Sequence, residues 1–408
     1  MVSYPIVDLT ECMSRNDCMC IARECYKLYN TSVALAEACY TDKCFIAKQA
    51  LEDPQANKFT AVYLTILIIG VFGNIGTCIV IRRHPLLRTH SSAYLLNLAM
   101  ADLVTLCIGM PFEIYMIWNQ YPWPLPDFMC NIKALLSETT NSVAGLTILL
   151  FSIERYMAIC HPFLFVKLKP VRKNVFLLLL STWLVSIACA IPYASHHKAD
   201  YIITSWPNIT DGPPILSSKM CMLKITYESE ESIIDNEYFE LKILFHFSSV
   251  AFFAIPLVII VVLYFAIACK IKNRRHTAVY NRAETTNEPR FRVTFILTAV
   301  IISFFICYTP FQFQRLAFFY IDPSHLPEFN QYLYFISGFF YYLATIVNPI
   351  LYNLVSSRFR KASKEVFLSL LPCVNHPYEK YYPPLKLALT TSVRFSESQR
   401  LKSSTSQL

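Results

Sequence analysis

Hydrophobic residues gather into seven stretches near residues 59–82, 92–118, 128–159, 174–193, 241–269, 291–320 and 331–354. Each has the roughly 20 or more mainly apolar residues that a helix needs to cross a bilayer. The pattern predicts an all-α membrane protein, a seven-transmembrane helix bundle over 59–354. Seven crossings put the two ends of the chain on opposite sides. After the seventh, Phe359, Val366, Phe367 and Leu370 share one side of a stretch opening with Arg358, Arg360 and Lys361, which predicts a short amphipathic eighth helix on the membrane surface over 355–370. Of 408 residues 55% are hydrophobic and 16% charged, with a mean hydropathy of +0.40, too apolar for a soluble protein of this length.

Charge sets the orientation. The 82–91 connection carries Arg82, Arg83 and Arg88 without an acid, and 161–173 carries Lys167, Lys169, Arg172 and Lys173 without one. The fifth-to-sixth connection adds Lys270, Lys272, Arg274, Arg275, Arg282, Arg290 and Arg292, whereas 194–240 holds Glu228, Glu230, Glu231, Asp235 and Glu237. Positive loops stay in the cytoplasm, so the N-terminal tail, 1–58, is expected outside and the net charge of +8 needs no nucleic-acid partner. That tail lacks a continuous apolar run, so the first span is expected to direct insertion without a cleaved signal.

The expected outer segments carry two glycosylation sequons, at Asn30 and Asn208. Six cysteines, Cys12, Cys18, Cys20, Cys25, Cys39 and Cys44, crowd into the tail. An oxidising compartment favours disulfides there over a four-cysteine zinc site. The equal spacing of Cys20/Cys25 and Cys39/Cys44 suggests a stapled hairpin, although six cysteines allow fifteen connectivities. From 371 to 408 the chain is rich in Ser, Lys and Pro, and reads as a disordered cytoplasmic tail. Ser392, Ser396, Ser398, Ser403, Ser404, Thr405 and Ser406 are phosphorylation candidates, and Leu408 ends a run suited to a PDZ groove.

Asp102, Glu113, Glu138, Arg155 and Arg315 lie inside the apolar stretches. Charge in hydrocarbon is expensive, so each marks a candidate functional site. Arg155 lies ~37 Å along the third span from Cys130, at the cytoplasmic boundary in Glu154-Arg155-Tyr156, where snorkelling is the alternative. Glu138 is ~12 Å into the bundle from Cys130 and Glu113 ~8 Å from Trp118, with Arg315 at comparable depth. Two acids and one base then line an outer vestibule. If Arg315 neutralises one glutamate, the other is left to favour a cationic ligand group, best a guanidinium. No cofactor or metal is called for. His161 and His246 stand without a neighbouring acid or cysteine motif, so enzymatic chemistry has little support, and the repeated halves of a transporter are missing.

Gly73-Asn74, Leu98-Ala99-Met100-Ala101-Asp102, Glu154-Arg155-Tyr156 and Asn348-Pro349-Ile350-Leu351-Tyr352 together resemble the rhodopsin-like (class A) G-protein-coupled receptors over residues 59–370, as do Trp183, Pro256, Tyr264, Phe304, Cys307 and Pro310. The resemblance implies a disulfide between Cys130 and Cys221, a buried network of Asn74, Asp102 and Asn348, and an Arg155 that meets a heterotrimeric G protein when the sixth helix swings out. Arrestin would read the phosphorylated tail.

Pro111-Phe112-Glu113-Ile114-Tyr115 with Trp118, Glu138, and Pro310-Phe311-Gln312-Phe313-Gln314-Arg315 resemble the neuromedin U and pyrokinin receptor branch, as does Tyr352-Asn353-Leu354. Receptors of that branch bind C-terminally amidated neuropeptides with an arginine next to the last residue. The resemblance gives that arginine to Glu113 and Glu138 and the amidated end to Arg315, with Tyr115, Phe311, Phe318 and Tyr342 around the apolar side chains. It also implies a plasma-membrane location and Gq coupling. Three departures stand out. Tyr308 replaces the usual tryptophan, Ala144 and Ala344 replace polar residues that help hold sodium beside Asp102, and Gly145 stands where a branched aliphatic residue packs against Pro256 and Phe304.

Overall fold

The computed structural model describes residues 9–14, 18–29, 32–43, 51, 53–119, 122–167, 174–201, 214–223, 231–280, 288–321 and 326–369. Both sequons, Cys44, Leu370 and the C-terminal tail lie outside them.

Each apolar stretch forms a long helix. The first span is Asp53–Arg83, the third Phe128–Cys160, the fourth Val175–Ser195, the sixth Glu288–Ala317 and the seventh Leu326–Val355. A π-turn interrupts each of the other two. The second runs His90–Val104, through Thr105–Gly109, to Met110–Trp118; the fifth runs Glu231–Ser249, through Val250–Ala254, to Ile255–Tyr280. Over the described residues, six of the seven are long and apolar enough to cross a membrane, and the sixth, Glu288–Ala317, packs along the seventh.

Apolar contact alone does not choose helix neighbours when the surroundings are equally apolar, so polar side chains do part of that work. Asn97 accepts from Trp183 Nε1 (2.9 Å) and donates to Thr147 Oγ1 (2.8 Å), tying the second, third and fourth spans together. Asn74 Nδ2 donates to the carbonyls of Gly70 and Thr345, both at 2.9 Å, fixing the first span against the seventh. Around these bonds packs the main core, which includes Leu98, Leu106, Ile148, Phe304, Tyr308 and Tyr342.

At the end predicted to face outward, strands β1 (His197–Tyr201) and β2 (Lys219–Leu223) form an antiparallel ribbon with Ala199 opposite Cys221. Cys221 is bonded to Cys130 at the start of the third span. Trp123 donates its backbone N–H to Lys219 O (2.7 Å), bringing the second-to-third connection onto the ribbon.

Below residue 44 the described residues form three helices. Helices α1 (Leu9–Ser14), α2 (Cys18–Leu28) and α3 (Val33–Lys43) enclose a small core of Ile21, Ala22, Ala36 and Tyr40. The disulfides and the stapled hairpin expected here are present. Cys12 bonds Cys20 and Cys25 bonds Cys39, so bridges join α1 to α2 and α2 to α3. The α2–α3 hairpin is stapled by Cys25–Cys39, one cysteine from each of the two equally spaced pairs, whereas Cys20 pairs outside them with Cys12. Ile215, from the loop before β2, completes this core, Ser217 N–H donates to Glu37 Oε1 (2.7 Å) and Thr41 Oγ1 donates to Ser217 Oγ (3.1 Å).

At the opposite end, the surface helix Ser357–Ser369 buries Phe359, Ala362 and Val366 against Val80 and Ile81 of the first span. His84 and Glu365 meet at 2.9 Å beside this contact. Phe367, expected on the membrane-facing side, is exposed at 48%.

Gly145 has a steric reason. A Cβ there would lie 2.5 Å from the carbonyl oxygen of Phe252, a residue of the fifth span's π-turn. The extra residue of a π-turn bulges the helix backbone, and here that bulge occupies the space a side chain would need. Gly145→Ala should therefore lower stability by about 1–3 kcal/mol through overpacking, read as a lower thermal midpoint of the solubilised protein. Gly70→Ala should cost less, because its close neighbour is the movable Leu106 Cδ1 at 2.6 Å.

Candidate functional site: an outer charged cluster above an inner polar cluster

The third span carries Glu138 inward, and the sixth brings Arg315 to meet it. Arg315 Nη1 donates to Glu138 Oε2 at 2.7 Å, with both side chains 3% exposed. Ser248, on the fifth span, donates to the other carboxylate oxygen. The guanidinium carbon lies 4.8 Å from the ring centres of Tyr193 and Phe245 and 5.3 Å from that of Phe311. Aromatic faces attract a desolvated cation, so three rings and one carboxylate hold Arg315. Its Nε and Nη2 have no hydrogen-bond partner among the described residues.

Glu113 is held separately and does not reach Arg315. Lys133 Nζ lies 3.0 Å from its Oε1, and Tyr334 OH donates to its Oε2 at 2.6 Å. This corrects the expectation of an unpaired carboxylate: Lys133 neutralises Glu113, and the cluster holds two acids and two bases. Sequence reasoning passed over Lys133, although it lies within the third apolar stretch three residues after Cys130. Tyr334 and Ser248 carried no such signal, because neutral hydroxyl residues are ordinary in membrane helices.

The expected aromatic residues fall in different places. Phe311 packs against Tyr341 at 5.1 Å, beneath the guanidinium. Phe318 contacts Phe319 at 5.3 Å in the cluster containing Phe245. Tyr342 is buried against Tyr63 and Tyr341, and Tyr115 is 40% exposed.

Deeper in the bundle, Asn348 Nδ2 donates to Asp102 Oδ2 at 3.0 Å. Asn74 does not bond the carboxylate; its two recorded donations go to backbone carbonyls. Beside Asp102 a cavity of about 10 Å³ is lined by Ala144, Ala344, Phe304 and Tyr308, room for at most about one water. The only oxygens or nitrogens beside the carboxylate in that lining come from Asn348, Ser303, Tyr308 and the backbone. The two alanines add methyl groups where a sodium ion would need oxygen ligands. Tyr308 and Phe304 pack at 4.4 Å, and Tyr308 meets Tyr341 at 5.5 Å. Pro310 and Pro349 lie within the sixth and seventh helices.

At the far end Arg155 pairs with Glu154 at 2.8 Å, donates to Ser91 and lies 5.3 Å from the Phe151 ring centre. Tyr156 OH and His161 Nε2 are 3.1 Å apart. Tyr352 is buried next to Phe359, and Tyr264 packs against Tyr94 and Phe151.

On the outer ribbon, burial holds His197 down to about 4, a shift that the hydrogen bond to the Tyr193 carbonyl opposes and the nearby Lys133 and Arg315 charges reinforce. A neutral ring serves here, with Nδ1–H donating to Tyr193 O at 3.1 Å.

Removing one partner of the buried pair strands the other. Arg315→Met or Glu138→Gln alone should cost about 3–5 kcal/mol of stability, and the double variant should recover much of it, read as thermal midpoints. For His197 the folded pKa lies below the unfolded value of about 6.5, so its contribution is complete above that pH and is lost as pH falls toward 4. A thermal-midpoint profile should show that decline, and His197→Asn should flatten it.

Residues 73–352 match the 7 transmembrane receptor (rhodopsin family). The chain is 33% identical to neuromedin-U receptor 2 of Mus musculus over 310 residues, 75% of this chain and 74% of that one. It is 32% identical to neuromedin U receptor homolog nmur-2 of Caenorhabditis elegans over 327 residues, 74% and 77% of the two chains. Against the pyrokinin-1 receptor of Drosophila melanogaster it is 30% identical over 365 residues, 75% and 79% of the two. With seven packed helices, this match over most of its length and these relatives, the chain belongs to the rhodopsin-like seven-transmembrane receptors, a non-enzymatic family, within its neuromedin U and pyrokinin receptor branch.

Proposed function

We propose that this chain is a plasma-membrane receptor, N-terminus outside, for a C-terminally amidated neuropeptide with an arginine beside its last residue. It signals through a heterotrimeric G protein of the Gq class, with arrestin recruited by the phosphorylated tail. The branch supplies the ligand class. The observation that carries the reading to particular residues is the pairing of the outer cluster, with one exchangeable cation and one cation that keeps unused donors.

Glu113 already holds a cation, the Lys133 ammonium, and its side chain is 16% exposed against 3% for Glu138. A ligand guanidinium offers a planar fork that engages both carboxylate oxygens, whereas an ammonium acts as a point charge. The peptide's arginine therefore displaces Lys133 and takes Glu113. Glu138 keeps Arg315 in place, and the two unpartnered donors of Arg315 receive the carbonyl of the terminal amide. Phe311 and Phe318 flank that end, while Tyr115 and Tyr342 serve the apolar side chains.

Ligand seated on Arg315 bears on Phe311 directly beneath it, and the packed rings Tyr341, Tyr308 and Phe304 continue to the Asp102–Asn348 pair. Pro310 and Pro349 give the sixth and seventh helices bends at which this packing can change. Asn74, Tyr264 and Tyr352 settle the rearranged helices, and Glu154, Arg155 and Tyr156 meet the G protein.

Glu113→Gln should weaken an arginine-containing amidated peptide roughly ten- to a hundredfold, the worth of a charge-assisted hydrogen bond, and its citrulline analogue far less. Equal losses for both peptides would make Glu113 a structural residue. Lys133→Gln should raise affinity for the arginine peptide and leave the citrulline peptide unchanged, because only the former competes with the ammonium. Arg155→Ala should abolish peptide-stimulated calcium release while peptide binding and surface expression persist.

A further inference from the structure

The three N-terminal helices form a unit whose stability rests on its bridges. Its core is Ile21, Ala22, Ala36 and Tyr40, closed by Ile215 from the loop before β2, too little apolar surface to hold three helices without covalent staples. Cys12–Cys20 and Cys25–Cys39 supply the staples. With both open, the packing that remains does not hold the unit together.

This unit grips the approach to β2. Ile215 is fully buried in its core, Ser217 N–H donates to Glu37 Oε1 at 2.7 Å, and Thr41 Oγ1 donates to Ser217 Oγ at 3.1 Å. Ser218 then leads directly into β2, where Lys219 O receives the Trp123 N–H at 2.7 Å and Lys219 Nζ meets Asp127 Oδ1 at 2.8 Å. Asp127 immediately precedes the third span, and Lys133, the cation on Glu113, stands within that span's first two turns. Contacts thus run without a break from α3 to the outer charged cluster.

The remaining bridge is set differently. Cys130 is fully buried with Trp123 and Ala199, and Cys221 packs against them. Asn131 Nδ2 donates to the carbonyls of His197 (2.6 Å) and Ala194 (3.0 Å), so the ribbon is bonded to the third span beside this bridge. Thiol–disulfide exchange needs a thiolate to reach a sulfur. A small unit opens locally far more readily than a ribbon locked onto a bundle, so a reductant reaches the N-terminal sulfurs first.

We infer that the N-terminal helices are a thiol-sensitive strap on the second outer loop. An extracellular dithiol opens Cys12–Cys20 and Cys25–Cys39, releases residues 214–218 and weakens ligand binding, while Cys130–Cys221 and the bundle stay closed. In each exchange the two thiols of the reductant become a disulfide, and their electron pair and two protons convert the receptor's bridge into two thiols. Reoxidation restores the strap. Its effect on the ligand rests on the peptide-receptor reading above; its effect on the loop does not.

The test uses the full chain in nanodiscs, treated with graded dithiothreitol, alkylated and read by peptide mass. Cys12, Cys20, Cys25 and Cys39 should be labelled at reductant concentrations that leave Cys130 and Cys221 bonded. Over that range amide hydrogen exchange should rise about tenfold at 214–218 and stay constant in the deeper turns of the third span. Affinity for an amidated arginine peptide should fall roughly fivefold. Cys25→Ser with Cys39→Ser should move both readouts in the same direction without reductant, and Glu37→Ala with Thr41→Val should do so with every bridge closed. Earlier labelling of Cys130 and Cys221, or unchanged exchange at 214–218 once the four N-terminal sulfurs are labelled, would overturn the strap. Faster loop exchange with peptide affinity unchanged would overturn its effect on binding. An oxidised receptor that binds no amidated arginine peptide would sink the proposed ligand, and the exchange data would still decide the strap.

Discussion

A charge buried among apolar helices must be met by an opposite charge, and in this bundle the Glu138–Arg315 pair fixes where three helices sit. It joins the third span to the sixth and, through Ser248, to the fifth. Desolvating both groups costs several kcal/mol each, so such a pair survives only in good geometry with further support. The three rings around the guanidinium provide that support, which makes Tyr193 and Phe245 parts of an electrostatic site although neither is a charged residue type.

Self-pairing changes what an outer cluster means. A vestibule with a surplus carboxylate would attract any cation. One in which Lys133 and Arg315 neutralise Glu113 and Glu138 is selective, because an incoming group must outcompete a resident partner rather than fill a vacancy. Selectivity then rests on the shape of the cation as much as on its charge.

Much of the bundle was legible in the sequence because a bilayer imposes a length and an apolarity that few other structures require. The seven spans could be read directly, and Glu113, Glu138 and Arg315 announced themselves as charges in apolar surroundings. Pairing was harder to read. Glu113 finds Lys133 and Tyr334 rather than Arg315, a choice set by how the second, third and seventh helices face one another, which residue counting along one helix does not give. The cysteine intervals indicated the stapled hairpin, closed by Cys25–Cys39, but not that Cys20 would pair with Cys12. Equal spacing along a chain says little once the chain is helical, because direction around the axis decides which sulfurs meet. Gly145 was visible as a departure, but its cause lies in a π-turn on another helix that no local pattern in 250–254 declares. The N-terminal helices, expected only as a cysteine-rich tail, became readable once their bridges and their contact with Ile215 were in place.

The docking of α3 on the loop before β2 has an entropic consequence. That loop is held at one point by Cys221 on Cys130, along β1, and again by Glu37 and the small core around Ile215. Fixing the backbone of a mobile residue costs roughly 1–2 kcal/mol, and a loop left free would lose that freedom only on meeting a ligand, at the expense of affinity. For residues 214–218 the ordering is completed during folding. The N-terminal helices thus hold this stretch at the outer end of the bundle in place before any ligand arrives.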